Sequence, residues 1–193
     1  MCGRYFIDME DTDEELEEII AILQRRKGSA PVKTGEIFPS DTVPVIANNR
    51  RLVPTPFAMR WGYALPDGRR VINTRSETAH ERPMFQDGMR RRRCLIPASL
   101  YFEWERRGRE RIKYAIRPAG AKPLYMAGIY RIENGSPVFS ILTRAPAESI
   151  AFIHDRMPVI LPAALREAWL SPDVRPELLL AQAEQRMIFG AVS

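Results

Sequence analysis

Residues 36 to 61 carry four prolines, Pro39, Pro44, Pro54 and Pro56, among β-branched and other apolar residues. Proline fixes its own φ and lacks the backbone N–H that a helix or a sheet ladder requires. A continuous helix is therefore excluded over this stretch. The pattern predicts extended chain, with the prolines at edge strands and bends rather than inside a regular sheet.

Further along the chain, Asn134-Gly135 has the composition of a tight hairpin turn. Asn and Gly tolerate the positive φ angles that two-residue hairpins need. The pair is therefore predicted to join a strand over Tyr125–Ile132 to one over Val138–Leu142. Residues 95 to 104 and 112 to 117 are further strand candidates because they are rich in β-branched and aromatic residues.

The clearest helix runs from Thr12 to Lys27 and is predicted to end at Gly28. Thr12 and Glu15 form a capping-box pattern, and apolar residues recur at helical spacing along one face. Three shorter helices are predicted by composition and start signals, over residues 148–154, 162–170 and 176–185. Together the elements predict one α+β domain over residues 1–193, with a bent antiparallel β-sheet or open barrel at its core and flanking helices.

Charge and hydrophobicity limit the possible partners. No apolar run is long enough to cross a bilayer, and no signal peptide pattern is present, so a cytoplasmic protein is expected. The net charge of +5 comes mainly from arginine, whose planar guanidinium matches a phosphate edge. These features favour an anionic partner and a nucleoid-associated location, although a solvated basic surface would give the same charge.

The cysteines and histidines are too few for a disulfide framework or a metal cluster. The chain has two of each, and Cys94 lies in an apolar stretch where a buried structural thiol is expected. We therefore expect no metal and no cofactor. Cys2 follows the initiator methionine and is a separate case.

Removal of Met1 from the sequence Met1-Cys2-Gly3-Arg4 would make Cys2 the amino terminus. It would then carry an α-amine and a thiol on adjacent carbons, with ordinary pKa values of roughly 8 and 8.5. Such a pair can condense with an aldehyde and close a five-membered thiazolidine ring. It can also act as an N-terminal nucleophile, with the amine as its own base. An early cysteine in a frayed terminus is the simplest alternative.

Four internal segments are richer in polar or aromatic residues than packing requires: Asn73–Thr78, Arg90–Arg93, Tyr101–Trp104 and Ile153–Pro158. Each has an ordinary structural interpretation by itself. The first could be a capped turn, the second a solvated face, and Glu103 or His154 a satisfied structural residue.

Taken together and in order, these segments resemble the SRAP family (SOS response-associated peptidase, also called abasic-site processing proteins). The matching motifs are Met1–Arg4, Trp61-Gly62, Asn73–Thr78, Arg92–Pro97, Glu103-Trp104 and Ile153–Pro158. The resemblance extends over most of the chain, to about residue 170. It implies a protein that crosslinks covalently to abasic sites in single-stranded DNA. Because such a site occurs once per chain, we expect a monomer to suffice.

The resemblance also implies roles for individual residues. Cys2 is the crosslinking residue, Asn73 positions the terminal amine or the opened sugar, and Glu103 and His154 transfer protons. The DNA-binding residues it implies are phosphate contacts at Arg4, Arg75 and Arg156 and base-stacking or wedge residues at Pro39, Trp61 and Trp104. Strand cleavage by a lyase reaction is a further activity that the resemblance leaves open.

Two departures from the family pattern concern aromatic residues. The segment after Trp61-Gly62 is short and lacks the second tryptophan, and Leu100 stands where glycine is expected. Two other functions remain alternatives: an N-terminal-nucleophile peptidase, for which release of its own Met1 is one possible reaction, and a non-covalent single-strand DNA-binding module.

Overall fold

A computed structural model describes residues 2–10, 14–26, 28, 30–120 and 123–192. The strands of these residues are β1 (Arg4–Ile7), β2 (Gly35–Ile37), β3 (Thr42–Asn48), β4 (Pro54–Trp61), β5 (Tyr63–Ala64), β6 (Arg70–Val71), β7 (Asn73–Arg75), β8 (Arg93–Ala98), β9 (Leu100–Arg107), β10 (Glu110–Pro118), β11 (Leu124–Glu133), β12 (Ser136–Arg144), β13 (Met157–Pro158) and β14 (Met187–Val192). The helices are α1 (Glu14–Arg25), α2 (Pro83–Arg91), α3 (Ala163–Leu170) and α4 (Pro176–Leu180), with a 3-10 turn at Glu148–Ile150.

A closed ring of strands forms one half of the fold. The ring runs in the order β11, β8, β3, β4 and β12, and it closes because β12 also pairs with β11. The α+β class and the antiparallel core are confirmed. The ring is closed rather than open because β12 lies antiparallel to β11 on one side and parallel to β4 and β7 on the other.

A second sheet, in the order β14, β10, β9, β1 and β2, is antiparallel throughout. The predicted strand over residues 95 to 104 is divided between the two sheets: β8 belongs to the ring and β9 to the second sheet. Ser99 marks the division, since its N–H donates to Phe6 O and its hydroxyl accepts from the Asp8 N–H. Strand β1 lies between β9 and β2, which places the amino-terminal segment inside this sheet.

Pro39 lies in the turn before β3, and the other three prolines of residues 36 to 61 lie in β3 and β4, which are inner strands of the ring rather than edge strands. The missing N–H groups are tolerated because pairing is incomplete. Strand β3 pairs with β8 only at Ile46 and Ala47, and β4 pairs with β12 only at its end, so Pro44 and Pro56 each have one partner strand. The predicted bend is present at Pro39, but the prediction of edge strands was wrong for the other prolines.

The local predictions hold in most places. Helix α1 buries the predicted face, and the hairpin turn is formed by Asn134 and Gly135 at φ 48° and 78°. The Thr12 cap lies outside the described residues. The predicted helices at 148–154 and 176–185 are shorter than expected, and α2, which begins at Pro83, was not predicted. Among the described helices, none has the length and apolar character needed to cross a membrane.

Candidate functional site

Strand pairing brings the amino-terminal segment alongside the Glu103-Trp104 motif. In the register of β1 with β9, Tyr5 faces Tyr101 and Arg4 faces Phe102. Because the strands are antiparallel, Gly3 and Cys2 run beside the next residues of β9, which are Glu103 and Trp104. The sequence places these two motifs a hundred residues apart, and the sheet places them side by side.

Cys2 is fully buried and its thiol is held in the protonated form. Burial, together with a smaller effect of the nearby Glu103 carboxylate, raises the pKa of the thiol to about 12. The Sγ atom lies 3.8 Å from Arg4 O, within the range of a weak S–H hydrogen bond. Burial and the Glu103 charge favour the neutral thiol near pH 7 and outweigh the opposite, smaller effect of the Arg4 backbone on the pKa.

Asn73 fixes the backbone of Cys2. Its Nδ2 donates a 2.7 Å hydrogen bond to Cys2 O, which also orients the amide, because Nδ2 must face the carbonyl. The Oδ1 atom is buried, and no described residue donates a hydrogen bond to it. Asn73 therefore presents an unused acceptor next to the residue that would carry the terminal amine.

His154 follows the 3-10 turn and precedes β13. Its Nδ1 accepts a 3.1 Å hydrogen bond from the Arg156 N–H and also lies 2.7 Å from the Asp155 carboxylate. The contact with Arg156 requires Nδ1 to have no proton, whereas the contact with Asp155 is a hydrogen bond only if Nδ1 carries one. The two contacts therefore belong to different proton arrangements of the ring.

Arg156 joins two of the motifs by a bidentate ion pair. Its two terminal nitrogens donate to the Glu77 carboxylate at 2.7 and 2.8 Å, and one of them donates to Thr143 O at 2.6 Å. The hydrogen bond from Arg156 lowers the pKa of Glu77. The Arg156 side chain is only 13% exposed, so it does not fit the phosphate contact predicted for it. It holds the His154 loop against the segment after Asn73.

A cleft of about 740 Å³ opens over these groups, within the usual size of a small-molecule site. Its lining residues are Gly3, Arg4, Glu103, Trp104, Arg106, Arg111, Ile153 and His154. Three arginines and one glutamate give the lining a positive charge. Arg106 and Arg111 were not singled out in the sequence, yet they face each other across the β9–β10 hairpin, which turns at Gly108 with a φ of 65°.

Cations and aromatic rings alternate on the surface beside the cleft. The Arg4 guanidinium lies 4.3 Å from the Phe38 ring centroid and 5.1 Å from that of Trp104, within cation–π distance. Lys113 approaches Phe102 at 3.9 Å and shares the Glu36 carboxylate with Arg4. One carboxylate between two cations leaves an excess of positive charge on this face.

Trp61 does not lie on that surface. It is fully buried, packs against Tyr5 and Phe139, and donates from Nε1 to Ile72 O at 2.9 Å. The prediction of Trp61 as a base-stacking residue does not fit this position, because no face of the indole is accessible. Its hydrogen bond instead holds the backbone immediately before Asn73.

Pro39 and Arg75 lie near the cleft without lining it. Pro39 is half-buried in the turn from Phe38 to Asp41, in which the Asp41 carboxylate accepts from the Phe38 N–H at 2.8 Å. Arg75 is exposed on β7, two residues after Asn73 and so on the same side of that strand. Both positions are compatible with contacts to a bound strand.

The run Arg90–Arg93 divides into exposed and buried parts. Arg93 is buried, lies 5.3 Å from the Trp169 ring centroid and donates to Ser171 O and Val174 O. It is a packing residue. Among the described residues, no group of three or more histidine, cysteine, aspartate or glutamate side chains is arranged to hold a metal ion.

Comparison with known proteins agrees with this arrangement of motifs. The sequence model of the family SOS response associated peptidase (SRAP) matches residues 1–193. The chain belongs to the SRAP family. Its SRAP relatives include the abasic site processing protein YoqW of Bacillus subtilis (strain 168), 32% identical over 189 residues, which cover 89% of this chain and 81% of the relative.

A second relative is the abasic site processing protein YedK of Escherichia coli (strain K12), 35% identical over 121 residues, which cover 59% of this chain and 54% of YedK. Among solved structures, a protein from Bacteroides thetaiotaomicron matches with a TM-score of 0.78 and 21% identity, covering 100% of this chain and 92% of that chain. At this identity, the match supports the SRAP fold alone.

Proposed function

We propose that this protein joins itself covalently to abasic sites in single-stranded DNA, through a thiazolidine that Cys2 forms after Met1 is removed. The observation that carries the proposal is that Glu103 and His154 line one positively charged cleft, while Cys2 is buried directly beside it, next to Gly3, with its carbonyl held by Asn73 and its thiol under the influence of Glu103. These residues come from four separate segments. The names of the relatives support the same substrate class.

The substrate arrives mainly as a closed hemiacetal and must open to expose its aldehyde. Ring opening transfers a proton between two sugar oxygens, a step that an imidazole performs well near neutral pH. We assign this step to His154, whose side chain lines the cleft and whose imidazole can both donate and accept a proton. Arg106 and Arg111 supply positive charge for the flanking phosphates.

The terminal amine then attacks the aldehyde carbon. A carbinolamine forms and loses one water molecule to give an imine, and the thiol adds across the C=N bond. The sulfur bonds to the former aldehyde carbon and the thiol proton passes to the nitrogen. Glu103 takes the proton that the terminal ammonium must lose before attack, and Asn73 orients the residue through Cys2 O.

The raised pKa of the Cys2 thiol supports this order of events. A thiol that stays protonated near pH 7 is a weak nucleophile toward a carbonyl, so the amine reacts first. Once the imine has formed, the thiol lies on Cβ of Cys2, next to the Cα that carries the imine nitrogen, and it can close the five-membered ring intramolecularly. The same burial works against a peptidase that depends on a Cys2 thiolate.

The experiment is an intact-mass measurement of the processed protein after mixing with DNA that contains one abasic site. A gain equal to the DNA mass minus one water is expected for the thiazolidine. Cleavage of added peptides without an adduct would instead support the peptidase, and DNA binding without either product would support the non-covalent module. Because an imine acidifies the neighbouring sugar carbon, the same samples are analysed on a denaturing gel for strand cleavage.

A further inference from the structure

Three aromatic rings from separate segments meet beside the cleft. Phe152 follows the 3-10 turn, Phe189 lies on β14 and Tyr114 lies on β10. The two phenylalanine rings have centroids 5.3 Å apart, and each lies 5.8 Å from the Tyr114 ring in an edge-to-face geometry. We call these three residues the aromatic step.

The outer rings of the step remain accessible. Phe152 is 50% exposed and Phe189 is 43% exposed, while Tyr114 is buried beneath them. Adjacent exposed apolar side chains of this size indicate an interaction surface more often than isolated ones do. The packing of the three rings against one another fixes the orientation of the exposed faces.

The aromatic step is continuous with the cleft. Phe152 immediately precedes Ile153 and His154, which both line the cleft. Tyr114 is the register partner of Glu103, and its hydroxyl donates a 3.0 Å hydrogen bond to the Glu105 carboxylate. A strand that leaves the cleft on the His154 side therefore reaches the step next.

The charge around the step matches a nucleic acid backbone. Arg106 and Arg111 are exposed and line the cleft, whereas the charge of the exposed Arg107 is already paired with the Glu105 carboxylate. Aromatic faces beside a basic groove are the usual way in which single strands are bound without sequence preference, because every base has a π-face. We infer that the aromatic step stacks the unpaired nucleobases that flank the abasic site, an assignment that rests on the proposed function.

A structural role for the two exposed rings is a weaker explanation. The 3-10 turn is already tied to the start of β14 by a hydrogen bond from the Ser149 hydroxyl to Met187 O, at 3.3 Å. The other competitor is a second copy of the chain, because β14 is an edge strand of its sheet. The experiment distinguishes both from base stacking.

Non-covalent affinity is measured by fluorescence anisotropy at one fixed salt concentration, with two oligonucleotides. Both carry a tetrahydrofuran residue, which has no aldehyde, at the central position. One has ordinary bases on both sides, and the other has tetrahydrofuran residues there as well, so that only its backbone remains. The proteins are the wild type, Phe152→Ala, Phe189→Ala, Phe152→Trp and, as a control, Ile132→Ala, whose side chain is 51% exposed and does not line the cleft.

Each alanine variant of the step should bind the base-bearing strand about 5- to 100-fold more weakly than the wild type. Phe152→Trp should retain the affinity, Ile132→Ala should not change it, and all five proteins should bind the backbone-only strand alike. Equal weakening on both strands would show a structural role and overturn the inference. Unchanged affinity on both strands, with or without loss of a dimer in light scattering, would also overturn it.

The adduct is measured separately on true abasic DNA. If the wild type forms the adduct but the variants lose no affinity for the base-bearing strand, the aromatic step does not stack bases and the proposed function is unaffected. If the alanine variants lose affinity only for the base-bearing strand but the wild type forms no adduct, the aromatic step binds single strands and the proposed covalent function is wrong.

Discussion

Cys2 and Cys94 show how two buried thiols in one protein differ in what they can do. Both are fully buried, and burial raises the pKa of both. Cys94 lies in the ring of strands opposite Gly128, where an added Cβ would come within 3.1 Å of its sulfur. Cys2 lies in the second sheet, with an asparagine on its carbonyl and a carboxylate close enough to affect its pKa.

The difference shows that burial alone does not define the reactive cysteine. The region of Cys94 is filled by apolar contacts and by the indole of Trp169, which donates to Cys94 O at 2.9 Å. The region of Cys2 borders a cleft through Gly3 and Arg4. Neighbouring polar groups and a position directly beside the cleft distinguish a candidate nucleophile from a packing residue.

The largest expected effect comes from blocking the amine of Cys2. A variant that retains residues in front of Cys2 should form no adduct with abasic DNA, because the ring needs a primary amine. Cys2→Ser should keep an imine that borohydride can trap, but it should lose the stable adduct. Intact mass with and without borohydride checks both. A stable adduct with the extended variant would contradict the proposed linkage.

Glu103→Gln tests the carboxylate that distinguishes the two cysteine regions. Loss of a positioned general base or acid typically slows a reaction about 100-fold or more, and we expect that scale here. Closure and opening pass through the same imine, so formation and reversal should both slow while the equilibrium yield changes less. Time courses of adduct formation, and of release to a trapping aldehyde, provide the measurement. Slowing in one direction only would argue against this role.

His154→Ala should have a more selective effect. If His154 opens the sugar, formation on abasic DNA should slow by about 10-fold to 100-fold. An oligonucleotide that bears an open-chain aldehyde should react at nearly the wild-type rate. Parallel time courses on the two substrates give the comparison. Equal slowing on both substrates would contradict the assignment of sugar opening to His154 and of amine deprotonation to Glu103, but both residues would still belong to the site.

Cys94→Ala should affect stability and leave the chemistry unchanged. Loss of the buried sulfur from the packed ring should lower the free energy of unfolding by about 1 to 2 kcal/mol. Adduct formation should proceed at the wild-type rate, since Cys94 lies outside the cleft. Denaturant titration and the mass assay measure the two effects. A large loss of adduct in a folded Cys94→Ala protein would break the contrast between the two thiols.

The smallest expected effect concerns the ion pair behind His154. Because the pKa of Glu77 is lowered in the folded state, its stabilisation is complete above its ordinary value of 4.5 and is lost as the pH falls through the lower folded value. Glu77→Gln should therefore be less stable than the wild type at pH 7, by up to about 1 kcal/mol for this half-exposed pair. The difference should shrink below about pH 4. Thermal unfolding across this pH range checks the sign, and a constant difference would exclude the ion pair as its cause.

The sequence was informative about short-range structure and about which residues are unusual. The apolar face of α1 and the Asn134-Gly135 turn follow from local backbone preferences, which act over a few residues. Cys2 stands out in the sequence because it follows the initiator methionine, and the roles of Asn73, Glu103 and His154 follow from the ordered resemblance of their segments to the SRAP family. The division at Ser99 and the hairpin at Gly108 were missed because each depends on which sheet the chain joins.

What the sequence by itself determined is the set of reactive groups and the family to which the chain belongs. The tertiary structure decided their exposure and their partners. Trp61 is buried and Trp104 is half-buried. Each directly follows a charged residue, so the local sequence does not distinguish a buried tryptophan from an exposed one. Arg156 meets Glu77 across 79 residues, and Phe152 meets Phe189 only because β14 joins the sheet beside β10. Burial and ion pairing depend on groups distant in sequence, and the closing of the sheets brings these groups together.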